Sequence, residues 1–176
     1  MLFQVVNTFC NAGRFAESLP LAERAVDINP SLIDARQVLA LCLIHFERNE
    51  EALVQLAEGD RLSPRAFQQV FSLGHRSWAL YGLGRLDEAL DVVSEFVRLD
   101  PSFRMALMTR PVFLQALGRT VEAQDAIRKA RKAAPGEDLG YWISFAGGTY
   151  MPKTMFASFS QHFIDAWNAM PEETGA

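Results

Sequence analysis

The sequence predicts an all-α solenoid of antiparallel helix pairs, and two observations carry that prediction. The first is a motif that recurs in register: Gly13 to Pro30 (GRFAESLPLAERAVDINP), Glu47 to Pro64 (ERNEEALVQLAEGDRLSP), Gly84 to Pro101 (GRLDEALDVVSEFVRLDP) and Gly118 to Pro135 (GRTVEAQDAIRKARKAAP). Its closing prolines stand 34, 37 and 34 residues apart. The second is the apolar period. Inside the third copy Leu86, Leu90, Val93 and Val97 follow one another at helical spacing, and the stretches between copies, 33–46 and 104–117, are helical in period too.

Each repeated choice inside the motif has a reason in helix chemistry. The position after the turn is arginine in all copies: Arg14, Arg48, Arg85 and Arg119. Three residues later comes Glu17, Glu51, Glu88 or Glu122, in the first helical turn, where free N–H groups and the dipole favour a negative charge. The arginine is within reach of it. The next residue is small (Ser18, Ala52, Ala89, Ala123), as close helix–helix approach requires. The proline then stops the helix and suits the first turn of the next one.

Taken in order, the chain predicts helices over 2–11, 15–28, 32–46, 50–61, 66–82, 86–98, 103–117 and 120–133. Pro20 falls in or just past a first turn, so it is expected to be tolerated or to kink slightly. Pro111 lies mid-helix and predicts a kink or a restart. Gly59 predicts close contact with a neighbouring helix, because a helical glycine costs about 1 kcal/mol relative to alanine. After Pro135 the motif stops. A short helix is expected at 139–146 and an amphipathic one at 155–169, with Met155, Phe156, Phe159, Phe163, Ile164 and Trp167 on one face. The units then run about 1–32, 33–66, 70–103 and 104–136, together an array over 1–135. Residues 137–170 serve as a cap over its last apolar face, and 171–176 form a frayed tail.

This layout resembles the tetratricopeptide repeat (TPR) family, whose 34-residue helix–turn–helix unit carries small residues at fixed positions and a closing proline. The likeness covers about 3–135 and rests on the turn and the second helix of each unit. The family's usual Trp, Leu-Gly and Tyr of the first helix are replaced in unit two by Arg36, Leu39, Ala40 and Leu43. Unit three carries three extra residues in or before Arg65–Leu73. A second, narrower resemblance covers roughly 60–173. Two such units, the GRTVEA turn, an aromatic helix after an x-Pro-x-x start and a Met-Pro-Glu tail are similar to the C-terminal module of some bacterial regulators. In those chains the module follows a class III nucleotide cyclase or a winged-helix DNA-binding domain. Neither domain is present here.

The family resemblance implies that the first helices line a concave, ligand-holding face. Carried across by register, that face presents Phe3, Asn7 and Cys10, then Asp34, Gln37, Leu41, Ile44 and His45. Unit three gives Phe71, Gly74, Trp78 and Tyr81, and unit four Met105, Met108, Val112 and Gln115. Trp78, Tyr81, Met105 and Met108 would be apolar anchors, and Asn7, Gln37, His45 and Gln115 hydrogen-bonding groups. The set holds one acid and no Lys or Arg. Family members that bind chaperone tails hold a terminal carboxylate with Lys, Asn and Arg; here only Asn7 matches, while Val38, Phe71 and His75 stand at the other positions. The implied function is a protein–protein interaction scaffold for a peptide or partner helix. The alternative is a regulatory or sensor module of a bacterial signalling system. The same aromatic surface has competing occupants: the chain's own C-terminal helix, a second copy in a homodimer, or a small molecule.

Composition and motifs exclude other classes. A net charge of −4 argues for neither nucleic acid nor a membrane surface. No apolar run is long enough for a membrane span and no signal peptide is legible, so the expected location is cytoplasmic. His45, His75 and His162 are isolated, with no metal-ligand spacing. Gly82-Leu-Gly84 sits at a helix–helix turn rather than after a strand, so it is no phosphate loop. No nucleophile motif or P-loop occurs, and the expectation is no enzyme, no cofactor and no metal. Cys10 and Cys42 read as reduced packing residues. The basic run at 128–132 reads as a solvated face. Arg76 and Arg110, 34 apart, read as side chains reaching from the helix interface to carboxylates, with an anion site as the functional alternative.

Overall fold

A computed structural model describes residues 6, 8–10, 12–62, 66–147 and 151–169, with side chains for these except 66–70, 146 and 147. Residues 6 and 8–10 are helical. The helices that follow are α1 (Phe15–Ile28), α2 (Ile33–His45), α3 (Asn49–Leu62), α4 (Ala66–Gly82), α5 (Leu86–Leu99), α6 (Arg104–Ala116), α7 (Thr120–Ala133), α8 (Leu139–Gly147) and α9 (Lys153–Asn168). No strand occurs among the described residues. The helices expected from residue 15 onward are therefore present, with ends within two residues of the sequence reading. The tail expected at 171–176 lies outside the described residues. Pro20 sits inside an uninterrupted α1. Of the kink or restart expected at Pro111, the restart does not occur. α6 runs on from Arg104 to Ala116, with Pro111 itself buried in it.

Each turn between paired helices has the same construction. In the first unit the Arg14 amide donates to the Phe9 carbonyl (2.8 Å) and the Gly13 amide to that of Cys10 (2.9 Å). The equivalent arginine bonds are Arg48 to Leu43, Arg85 to Leu80 and Arg119 to Leu114. This is the Schellman geometry, which satisfies the last carbonyls of a helix and needs a left-handed residue just past its end. Gly13, Gly84 and Gly118 supply that residue at φ 71–72°, and Glu47 supplies it at φ 60°. The following arginine then grips the glutamate of the next first turn with both ends of its guanidinium, as in Arg85–Glu88 at 2.7 Å twice. Arg14–Glu17, Arg48–Glu51 and Arg119–Glu122 repeat it. These pairs hold each glutamate's pKa below its ordinary value of 4.5.

Consecutive helices from α1 to α7 pack on one another, and α2 touches α4 while α4 touches α6. Helices α2, α4 and α6 thus form one continuous layer, the inner layer of the array. α9 packs mainly on α6 and also on α7 and α8. Its buried face is Met155, Phe159, Ser160, Phe163 and Ala166. Arg131 caps the far end over the Trp167 ring at 5.1 Å, and the Gln124 side chain donates to the Ala169 carbonyl at 2.7 Å.

Gly59 is buried against α2, as expected, but other glycines sit in tighter places. A Cβ added to Gly59 would lie 3.7 Å from Ile33 and 3.9 Å from Arg36, ordinary contact distances. The tight glycines are on α4. A Cβ at Gly74 would meet Met105 Sδ at 2.9 Å and Phe96 at 3.3 Å, and one at Gly82 would meet Asn49 Nδ2 at 2.6 Å.

Candidate functional site

The residues expected to line one concave groove separate into different environments. Leu41, Trp78, Met108 and Val112 are at most 3 % exposed. They are not open anchors, which corrects the expectation: the inner helices pack on both flanks, so positions that register assigns to the groove are consumed by helix–helix contacts. Gln37 is half-buried on α2. His45 is half-buried, its ring stacked on Phe15 with centroids 3.8 Å apart. Phe71 stays exposed and meets Phe103 edge-on. Met105 is half-buried over Gly74. Gln115 is half-buried, with a buried Oε1 that has no hydrogen-bond partner. Phe3 and Asn7 lie outside the described residues.

Tyr81 has the most informative surroundings. Its ring stacks on Phe113 (5.2 Å, 16°) and meets Phe159 of α9 edge-on at 6.0 Å. Its hydroxyl shares a 2.9 Å hydrogen bond with Ser158. Of the occupants considered for the aromatic surface, the chain's own C-terminal helix takes the part around Tyr81.

What remains open there is a cleft of about 510 Å³ between the Glu47 turn, the end of α4 and the first half of α9. Glu47, Asn49, Tyr81, Thr154, Ser158 and His162 contribute its polar groups, and Leu83, Leu86, Ala116 and Met155 its apolar wall. Glu47 accepts a hydrogen bond from Thr154 across the cleft. Asn49 is only 5 % exposed, yet its Oδ1 has no partner. A buried carbonyl oxygen left this way forfeits about 1–3 kcal/mol of solvation, a cost carried by the wall of the cleft. Among the described residues, no lysine or arginine lines the space. Glu47, Asn49, Thr154 and Ser158 were not expected at a site, and His162 was read as an isolated histidine. One signal was there: Glu47 stands where the other units place Gly13, Gly84 and Gly118.

Of the two arginines 34 apart, Arg76 has a carboxylate partner, while the buried Arg110 Nε has no hydrogen-bond partner. Arg76 pairs with Asp60 on α3, which supports the reach-to-carboxylate reading over an anion site. Arg110 lies close enough to Glu122 and Asp125 to contribute to lowering their pKa values, after their own Arg119 and Lys129 partners. In the basic run Lys129 pairs with Asp125 at 2.7 Å. No cluster of His, Cys, Asp or Glu suited to a metal ion occurs among the described residues. Nor does any described helix have the length and apolarity to cross a membrane.

No family model matches the chain, and no curated protein matches it in sequence. Solved structures do match. TTC0263, a thermophilic TPR protein of Thermus thermophilus, superposes with a TM-score of 0.68 at 17 % identity, covering 95 % of this chain and 97 % of that one. MamA (residues 41 to the end) from Desulfovibrio magneticus RS-1 gives 0.67 at 13 %, covering 99 % and 96 %. YrrB, a TPR protein with an unusual peptide-binding site, gives 0.61 at 14 %, covering 96 % and 86 %. At these identities the likeness is one of fold: the chain has the tetratricopeptide repeat fold.

Proposed function

We propose that this chain is a non-catalytic protein–protein interaction scaffold that takes a peptide or partner helix on its inner face, at the cleft beside α9. The observation that carries this reading is an open cleft that sets the polar groups of Glu47, Tyr81, Thr154, Ser158 and His162 beside an apolar wall. Binding surfaces commonly combine apolar walls with a few placed polar groups. The Glu47 carboxylate, with no lysine or arginine among the described lining residues, favours a ligand that brings N–H donors rather than a terminal carboxylate. Gln37, His45, Phe71, Met105 and Gln115 extend the inner face on either side and provide further contacts along it. The fold of YrrB, a protein with a peptide-binding site, is consistent with this use of the scaffold.

The test is selection of peptides from a random displayed library on the immobilised chain, followed by titration against variants. Glu47→Arg and His162→Ala are expected to weaken the selected peptides at least about tenfold, the loss of roughly 1.4 kcal/mol. Peptides that bind both variants as tightly as the parent would move the site elsewhere. A library that yields no binder would remove the scaffold reading itself.

A further inference from the structure

The two cysteines of the sequence, 32 positions apart, meet in the fold. Cys10 Sγ lies 3.5 Å from Cys42 Sγ, one on the N-terminal helical segment and the other on α2. Cys10 is 1 % exposed and Cys42 fully buried, and both are free thiols. We propose that Cys10 and Cys42 are a disulfide-forming pair, oxidised by a hydroperoxide to a bond that staples the N-terminal helical segment to α2.

The geometry calls for little rearrangement. The sulfurs must close from 3.5 Å to about 2.05 Å, within reach of small side-chain rotations. The electrostatics give the pair an order. The Cys42 thiol, and more weakly Ser18, hydrogen-bond to the Cys10 sulfur and lower its pKa despite burial, while Cys42 is pushed up. Either thiol can donate to the other across this contact, and with Cys42 donating, Cys10 is the nucleophile. Its thiolate attacks one peroxide oxygen, the O–O bond breaks, and the leaving hydroxide takes a proton to become water. The sulfenic acid left on Cys10 is then attacked by the Cys42 sulfur. The S–S bond forms, the S–O bond breaks, and the departing hydroxide takes the Cys42 proton as a second water. Two thiols lose two electrons and two protons, and one peroxide gains them.

Burial sets the rate. Neither sulfur meets solvent in the closed fold, so peroxide reaches the pair only in locally open molecules. Oxidation is expected to be slower than for a free thiol and to speed up in urea below the unfolding transition. The bond also closes a long loop, so the oxidised chain is expected to melt at a higher temperature.

The experiment treats the reduced, full chain with hydrogen peroxide and reads intact mass, peptide map and melting temperature. The expected product is a monomer lighter by about 2 Da, with the Cys10 and Cys42 peptides joined and a raised Tm that dithiothreitol reverses. The Cys42→Ser variant should instead accumulate oxygen on Cys10. Should that variant fail to fold, the peptide map of the parent decides alone. No reaction in native buffer or in sub-denaturing urea would overturn the proposal and leave the thiols as packing groups. So would oxygen addition without a bond, or a link between two chains.

Discussion

The second helices and the turns before them differ from the seam between α4, α6 and α9 in almost every physical respect. The turns are repetitive, exposed and ionic: the same left-handed residue, the same backbone bonds, the same arginine–glutamate grip. The seam is unrepeated, buried and aromatic, with Trp78, Phe113 and Phe159 fully enclosed and Tyr81 between two rings. Exposed ion pairs contribute little to stability, while buried aromatic area contributes much. The repeated part therefore sets register and helix ends, and the unrepeated part supplies a large share of the stability.

The strongest way to break that comparison is Phe159→Ala. Removing a fully buried ring at the seam should cost about 3–5 kcal/mol in denaturant-induced unfolding. A loss below about 1 kcal/mol would show that α9 is not integral to the fold.

A pH profile makes a second, smaller attack on the same region. Desolvation holds the pKa of His75 on α4 down at about 4, against an ordinary 6.5. Between these values the unfolded chain binds the proton and the folded one does not, so stability must fall as pH falls. From pH 7 to pH 5 the loss is about 2 kcal/mol. Because His75 Nδ1 has no hydrogen-bond partner, His75→Leu is expected to fold and to flatten this part of the profile. Below pH 4.5 the four turn glutamates, held low by their arginines, add a further decline in both chains.

The finest contrast uses one glycine from each region. Gly74→Ala, in the seam, drives a methyl against Met105 and Phe96 and should destabilise by about 1–3 kcal/mol. Gly59→Ala, on the second helix of unit two, has room and should stabilise by about 0.5–1 kcal/mol. Thermal or urea melts of the pair give opposite signs if the two regions are packed as described.

The sequence was legible where local chemistry repeats. The turn glycines and closing prolines mark helix ends that hold independently of tertiary packing, so Phe15–Ile28, Ala66–Gly82 and Thr120–Ala133 match the reading from the residues. The groove was much less legible. α2 buries Ala35 and every residue from Val38 to Ile44, and α6 is enclosed in the same way. A helix apolar all round carries no stripe to say which side is open. Leu41, Met108 and Val112 were accordingly placed on a surface and lie in the core. The position of α9 across the turn of unit two depends on contacts such as Thr154 with Glu47, 107 residues apart, which no local pattern encodes.

That contact changes how the array should respond to force. Arrays of this kind share load only between adjacent units, and pulling on one end peels them singly. Here α9 bonds to the turn of unit two, to Tyr81 of unit three and to both helices of unit four. Tension applied at the C-terminal end is thereby spread over three units at once. The chain should give way there in a single large step, rather than in the regular sawtooth of a simple repeat.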